Sequence, residues 1–331
     1  MIKNKILKNK MLVGAIATLS CMPLAMAGQS VWPERPVTLV VGYGPGGTTD
    51  ILARALSEEL AKQTGQAIVV ENKPGASSNI GAGYVSRAKA DGYVLFVGST
   101  ANSINNSLYK NLRFDLSKNF VPISKIGSVP NLLVVNKNSQ IKSLEAYIEK
   151  AKAGPSALTC ASSGVGSAVH MSCELFNIQA GTQISHIPYQ GSAAAMADLL
   201  GGHVDSVFDN MPTVAGNVRS GKLTGLAVTS PQRSKVFPDT PTVQEVIKKP
   251  YSVESWFGLF SPAGVDEKTV EIINAQVNKA LQSEVFQKKV ESMGAVLPNS
   301  SENSPEDFKR FVNRELDKWK TVVDQLKLTV D

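Results

Sequence analysis

Apolar and polar positions alternate in blocks along this chain. Val37-Thr38-Leu39-Val40-Val41 is a β-branched run of the kind that fills a buried strand. It breaks at Gly42-Tyr43-Gly44-Pro45-Gly46-Gly47, where the backbone can turn sharply. Thr48, Thr49 and Asp50 are N-cap residue types, and a helical pattern begins at Ile51-Leu52-Ala53-Arg54-Ala55-Leu56. The same strand, loop and helix succession recurs. Strands are expected at 67–70, 93–98, 132–135, 158–161, 184–188, 204–208 and 223–229, with an extended apolar stretch at 253–261. Helices are expected at 80–90, 144–153, 168–180 and 193–200, the first capped by Ser77-Ser78-Asn79 and the second by Ser143. From Asp266 the pattern is mostly helical, with a break near 298–305.

Such alternation builds parallel sheets with helices on both faces. In open α/β sheets a ligand binds beyond the carboxyl ends of the strands. The Gly/Ser/Thr-rich loops all fall at strand ends, in one group before residue 130 and another after it. Two sheets facing each other across one ligand would gather both groups at a single cleft.

The chemistry of that cleft is suggested by its loops. A bare loop at a helix N-terminus offers unpaired N–H groups to an anion. Gly42 to Gly47 is one such loop, and Ser162-Ser163-Gly164-Val165-Gly166-Ser167 is a second. A phosphate loop would end in Gly-Lys-Ser/Thr, and Gly47 is followed by Thr48-Thr49. A dinucleotide pattern can be laid on Gly42, Gly44 and Gly47, but Pro45 and Gly46 fall inside it, and Glu71 after Val69-Val70 leads straight into Asn-Lys-Pro-Gly. The glycines also serve a tight turn whatever binds there.

The N-terminus changes the reading of charge. Lys3, Lys5, Lys8 and Lys10 precede an apolar stretch, Met11 to Leu24, which is too short to span a bilayer, and Ala25-Met26-Ala27 is an A-x-A cleavage site. Residues 1–27 are therefore expected to be a signal peptide cleaved after Ala27, with lipid anchoring at Cys21 as a minor alternative because Thr18 stands where a lipoprotein box carries Leu. The 331-residue chain has 34 basic and 28 acidic residues; without the four leader lysines the balance is 30 to 28. The basicity of the whole chain is thus no argument for a nucleic-acid partner. Some 300 remaining residues suggest two domains. Cys160 and Cys173 either pair as a disulfide or stay buried as thiols. His170, His186 and His203 show no metal-ligand spacing with them, so no metal and no cofactor is expected.

The residues as a whole resemble the periplasmic solute-binding proteins of the tripartite tricarboxylate transporter type, the Bug receptors. The likeness runs through Trp32-Pro33 with Pro36, Gly44-Pro45-Gly46-Gly47 with Asp50 and Ala53-Arg54, and Val69-Val70-Glu71-Asn72-Lys73-Pro74-Gly75 with Asn79-Ile80-Gly81-Ala82. It continues through Asp91-Gly92-Tyr93, Ala161 to Ser167 with His170, His186-Ile187-Pro188-Tyr189 with Gly191, and Asp198-Leu199-Leu200-Gly201-Gly202. It ends with Gly221-Lys222-Leu223, Leu226-Ala227-Val228-Thr229-Ser230, and Pro238-Asp239 with Pro241-Thr242, and so covers the mature chain in order. The resemblance implies a two-lobe α/β periplasmic-binding-protein fold (a Venus flytrap, type II-like), each lobe a mainly parallel sheet flanked by helices. The first lobe would comprise 28–128 and 254–331, the second 129–253. It implies a monomer that captures a small organic acid by lobe closure and delivers it to the membrane permease subunits of a tripartite transporter. In this family a ligand carboxylate is held by backbone and hydroxyl groups, partly through waters, and Arg is not the usual anchor. Carried over, first-lobe contacts would be Tyr43, Gly47, Thr48, Asn79, Ser99 and Thr100, and second-lobe contacts Ser163, Gly166, Ser167, Tyr189, Gly191 and Asp209. Ser77-Ser78 replaces a glycine common in the family, and adds a hydroxyl to the pocket or strengthens a cap.

Several of these residues have a second reading. Ser167 and Asn79 would serve as helix caps in any case. His170 reads better as a hydrogen-bonded structural histidine than as a ligand contact. Asp209 would repel an anion unless the ligand carries an ammonium, ring N–H or hydroxyl, and it could instead cap the helix near Met211-Pro212. Trp256 reads as a packing anchor in a crossover strand. A hydrolase built on Ser167 and His170 is a rival, but no G-x-S-x-G elbow is present. A receptor serving a sensor, or one binding a neutral amide, would share the same fold.

Overall fold

The computed structural model describes residues 32–331; the expected leader and Cys21 lie outside the described residues. Strand β1 (Val37–Val41) leads through the glycine loop into helix α1 (Thr48–Thr64). β2 (Ile68–Asn72) leads into α2 (Asn79–Val85), and β3 (Val94–Ser99) into α3 (Thr100–Leu108). After the short α4 (Leu116–Asn119) comes the long β4 (Phe120–Asn136). Next are α5 (Leu144–Ala151), β5 (Thr159–Ser162), α6 (Ala168–Ala180), β6 (Ser185–Pro188) and α7 (Ser192–Gly201). They are followed by β7 (Ser206–Asn210), α8 (Met211–Arg219), β8 (Leu223–Val228) and α9 (Val243–Ile247). The second long strand is β9 (Glu254–Pro262), after which α10 (Glu267–Leu281), α11 (Glu284–Glu291) and α12 (Pro305–Leu326) complete the chain.

The strands run in the order β2-β1-β3-β9-β4-β7-β5-β6, with β8 also on β4. Pairing is parallel at both ends, β1 with β2 and β3, β5 with β6 and β7. It is antiparallel in the middle, where β9 pairs with β3 and β4. β4 and β9 are in register from Phe120 opposite Pro262 to Pro130 opposite Glu254. From Asn131 onward β4 changes partners to β7 and β8. One continuous strand therefore belongs to both halves of the fold.

Only Leu132–Val135 of this strand was expected from the pattern. Its first half carries Pro122, Gly127 and Pro130, which read as loop. The structure accommodates them by register shifts between Pro122 and Ser124 and between Lys125 and Gly127. α3 was not expected either, because Asn102, Ser103 and Asn105 carry no apolar stripe, yet all three are buried. α2 stops at Val85 rather than Ala90. Its cap also differs: Ser78 holds the N-cap position at φ 78°, the third consecutive residue in the left-handed region after Ala76 and Ser77, and no side chain caps it. Gly42 makes room for this turn, since a Cβ there would meet Ser78 Oγ at 2.0 Å. Ser143 caps α5 as expected, its Oγ accepting from the Ala146 N–H.

Burial follows the two halves. One apolar cluster joins β1, β3 and α1 to Ile273, Val277 and Phe286 of the C-terminal helices. Another joins Leu133, Phe176 and Phe208 to Ile104, Leu108, Trp319 and Val323. α12 thus packs Phe308 and Val312 on the aromatic side of β9, around Trp256 and Phe260, and Trp319 and Val323 on the other cluster. Trp256 is a packing residue, its indole donating to Glu315 on α12. Of the two states open to the cysteines, the structure has the free one: Cys160 and Cys173 are both buried thiols among apolar side chains. A hydrogen bond to Cys160 and burial push the Cys173 thiol well above its ordinary pKa, which keeps it protonated and unreactive.

Two outcomes follow from this packing. Phe308 lies with its ring 5.1 Å from that of Phe260, so Phe308→Ala should cost about 3–5 kcal/mol in urea unfolding; a loss under about 1 kcal/mol would contradict the packing. Thiol titration should find no reactive sulfhydryl in the native mature chain and both Cys160 and Cys173 in denaturant, whereas a silent denatured sample would mean a disulfide.

Candidate functional site

The cleft lies where the two halves face each other, and four helices begin there. Thr48 and Thr49 open α1, Thr100 and Ala101 open α3, Ala168 and Val169 open α6, and Ser192 and Ala193 open α7; all line the same cavity. Its inner chamber encloses about 50 Å³. It shares Tyr43, Ser163 and Gln190 with an outer chamber of about 230 Å³, which is walled by Pro74 to Ser78, Tyr109, Gly164, Val165, Pro188 and Tyr189. Among the described residues no Lys, Arg, Asp or Glu lines either chamber.

What fills the role of charge is the helix termini. Each terminus carries a partial positive charge of about half a unit, from N–H groups without intrahelical partners. α1 and α7 have glycine N-caps, Gly47 and Gly191, and no capping side chain, so their N–H groups stay available. Gly191 has φ 120°, a conformation that favours glycine. Thr48 Oγ1 is buried without a hydrogen-bond partner. α6 is capped by Ser167, whose Oγ accepts from the His170 N–H at 3.1 Å.

The glycine loop is held from behind. The Asp50 carboxylate accepts from the Gly46 N–H at 2.9 Å, from Arg54 at 3.0 Å and from Asn72 at 2.9 Å. Burial alone would raise its pKa, but these bonds outweigh burial and hold it below the ordinary carboxylate value. Thr48, Thr49 and Asp50 were expected as caps; the structure makes Gly47 the N-cap, and Asp50 ties the loop instead.

Of the expected site residues, Tyr43, Gly47, Thr48, Ser99, Thr100, Ser163, Ser167 and Gly191 come together around the inner chamber. Tyr189 lines the outer one, its hydroxyl donating to Asp198 at 2.6 Å. Three lie outside both linings. Asn79 turns to Asn105, whose Nδ2 donates to it at 3.0 Å. Gly166 lies behind the loop against α3, where a Cβ would meet Asn105 Oδ1 at 2.1 Å. Asp209 is fully buried behind Ser192, accepting from Ser192 Oγ at 2.8 Å and from the Asn210 N–H at 2.7 Å. Its other oxygen has no partner, and burial pushes its pKa up to about 6. The pattern did not single out Ser192, Asn210 or Ser255 as site residues. Ser255 Oγ donates to Asn210 Oδ1 at 2.6 Å on the cavity wall; a buried serine inside an apolar strand was the available signal.

Comparison with known proteins decides the family. The model of the tripartite tricarboxylate transporter family receptor matches residues 52–328. The chain belongs to that receptor family. It is 35% identical over 301 residues to the protein BugT of Bordetella pertussis, covering 90% of this chain and 91% of that protein. The solved periplasmic binding protein BugD superposes with a TM-score of 0.86 at 32% identity, over 90% of this chain and 99% of BugD. A Rhodopseudomonas palustris protein solved with adipate has a TM-score of 0.86 at 35% identity, over 90% and 99%. MatC from Rhodopseudomonas palustris, solved with bound malate, has a TM-score of 0.84 at 31% identity, over 88% and 100%. The two-lobe α/β fold of this receptor is therefore that of the periplasmic binding proteins.

The buried Asp209 has a signed consequence for the receptor. A carboxyl whose folded pKa exceeds its unfolded value destabilises the fold as pH rises from about 4 through about 6. Asp209→Asn removes that dependence, so its stability relative to the parent should improve between pH 4 and pH 7 in urea unfolding. An unchanged difference across that range would place Asp209 in a better-solvated setting.

Proposed function

We propose that this chain is an exported periplasmic receptor, cleaved after Ala27, that captures a small organic acid between its lobes and presents it to the membrane subunits of a tripartite transporter. The lobes would be 28–128 with 254–331, and 129–253, with α12 reaching across both. The observation that carries the reading is the convergence of four helix N-termini on a cavity that, among the described residues, no charged side chain lines. An anion there would be stabilised by oriented N–H groups and hydroxyls, each terminus worth roughly 0.3–1 kcal/mol at an exposed site and up to about 2 when partly buried. The family relatives solved with adipate and with malate support a dicarboxylate.

Closure has a physical basis in the same loops. Tyr109, at the end of α3, donates its hydroxyl to Val165 O at 3.3 Å, and Gly166 abuts Asn105. These contacts join the loop after β5 to the opposite half, so a ligand bridging α1 and α7 favours the shut form by its own differential contacts. A binding role also fits the state of Ser167. Its hydroxyl is bonded to the backbone N–H of His170, and the His170 ring is engaged by Gly166, so these two residues do not form a nucleophile–base pair.

The mature chain, Gly28 to Asp331, should show a rise in melting temperature with one class of dicarboxylate in a panel containing adipate, malate, monocarboxylates and neutral amides. Thr48→Ala combined with Ser167→Ala should weaken that binding at least tenfold while the chain stays folded. A shift with amides alone, or affinity untouched by the double variant, would overturn the anion seat.

A further inference from the structure

Behind the carboxylate cleft two imidazoles hold one of its loops. His170 on α6 is buried, and its ring centroid lies 4.0 Å from that of His186 on β6, the planes tilted by 34°. The loop between β5 and α6 supplies Ser163 and Ser167 to the inner chamber. Its backbone is fastened to both rings. The Gly166 N–H donates to His170 Nδ1 at 3.2 Å. Ser162 Oγ lies 2.6 Å from His186 Nε2 and accepts from the Gly164 N–H at 3.1 Å.

A backbone N–H can only donate, so His170 Nδ1 must present a lone pair. In the neutral ring the proton is then on Nε2, which faces Glu174 Oε1 at 3.4 Å. His170, Glu174 and His186 bring ligand atoms within 4.8 Å of one another, as a divalent metal site would. Coordination through His170 Nε2, however, would drive the proton to Nδ1, against the Gly166 N–H. The tautomer suits a loop support better than a metal centre.

We propose that His170 and His186 are positioning residues for the carboxylate seat: a stacked imidazole pair, with an acceptor Nδ1 on His170, that holds the 162–167 loop in its binding shape. The inference rests on the carboxylate reading above. Protonating His186 buries a charge beside the other ring. The titratable groups around the pair are Glu174 on α6, Cys160 opposite His186 on β5, and Tyr109 from α3, whose hydroxyl reaches Val165. Burial, then the neighbouring His170, push the His186 pKa down to about 3. A histidine so depressed stabilises the fold above its unfolded pKa near 6.5, and that contribution is lost as pH falls from there toward 3. Asp209 acts with the opposite sign in part of this range, so total stability is a poor readout and the loop itself must be observed.

The test is amide exchange at Gly164 and Gly166 by NMR in the mature chain and its His170 variants at pH 7.5, with adipate affinity measured in parallel. His170→Gln should lose at least tenfold of the Gly166 protection, with a matching rise in the adipate Kd. His170→Asn, whose Oδ1 can replace Nδ1 as acceptor, should keep both. Equal protection in the Asn and Gln variants would overturn the proposal. So would tight zinc binding that Glu174→Gln abolishes, because it would require the other tautomer. If the amide behaviour is as expected but neither adipate nor any other acid binds at pH 7.5, the carboxylate reading fails and the loop support stands.

Discussion

The antiparallel pairing of β4 with β9 is the constraint on which the rest of the molecule depends. The pair forms the middle of the sheet, and β4 runs on through both halves, passing from β9 to β7 and β8 between Pro130 and Asn131. Two parallel-ended sheets are thereby tied edge to edge with their loops turned toward one cleft. A parallel strand ends where its following helix begins, so the units β1-α1, β3-α3, β5-α6 and β6-α7 deliver helix N-termini to that cleft. Topology brings the partial positive charge of the α1, α3, α6 and α7 N-termini there, with no lysine or arginine in the lining among the described residues.

A seat made of backbone has structural requirements of its own. The loops must be thin, and they must be held from behind. Gly47 and Gly191 supply the first condition, since neither N-cap places a side chain at the start of its helix. Asp50 supplies the second for the first loop, bonded to Gly46, Arg54 and Asn72. His170 and His186 supply it for the loop after β5. The polar groups that shape the cleft thus lie mostly one layer behind it. Asp209, bonded to Ser192 rather than lining the cavity, follows the same plan.

Burial of polar side chains is also how the halves meet. Asn105 donates to Ser77 O and to Asn79, and abuts Gly166 from the other half. Such a contact needs a glycine on one side and a small polar network on the other. It gives the closed arrangement a geometric register that apolar contact alone would not.

Much of this was legible in the chain itself. The β-branched runs, the caps at Ser143 and Ser167, the bare loops and their order predict an α/β protein with strand-end loops gathered at a cleft, and eight of the expected residues do line its inner chamber. Local patterns suffice there because period, cap and turn chemistry act within a few residues. The first half of β4 and the whole of α3 escaped, for one reason: their apolar periodicity is broken by prolines or by buried asparagines whose partners lie far along the chain. For Asn79, Gly166 and Asp209 the sequence located the loop but not the direction of the side chain or its neighbours. Only tertiary packing decided that Asn79 faces Asn105, that Gly166 yields to it, and that Asp209 turns to Ser192. Hydrogen-bond partners separated by tens of residues in the chain are set by how the sheets meet, and no local signal carries them.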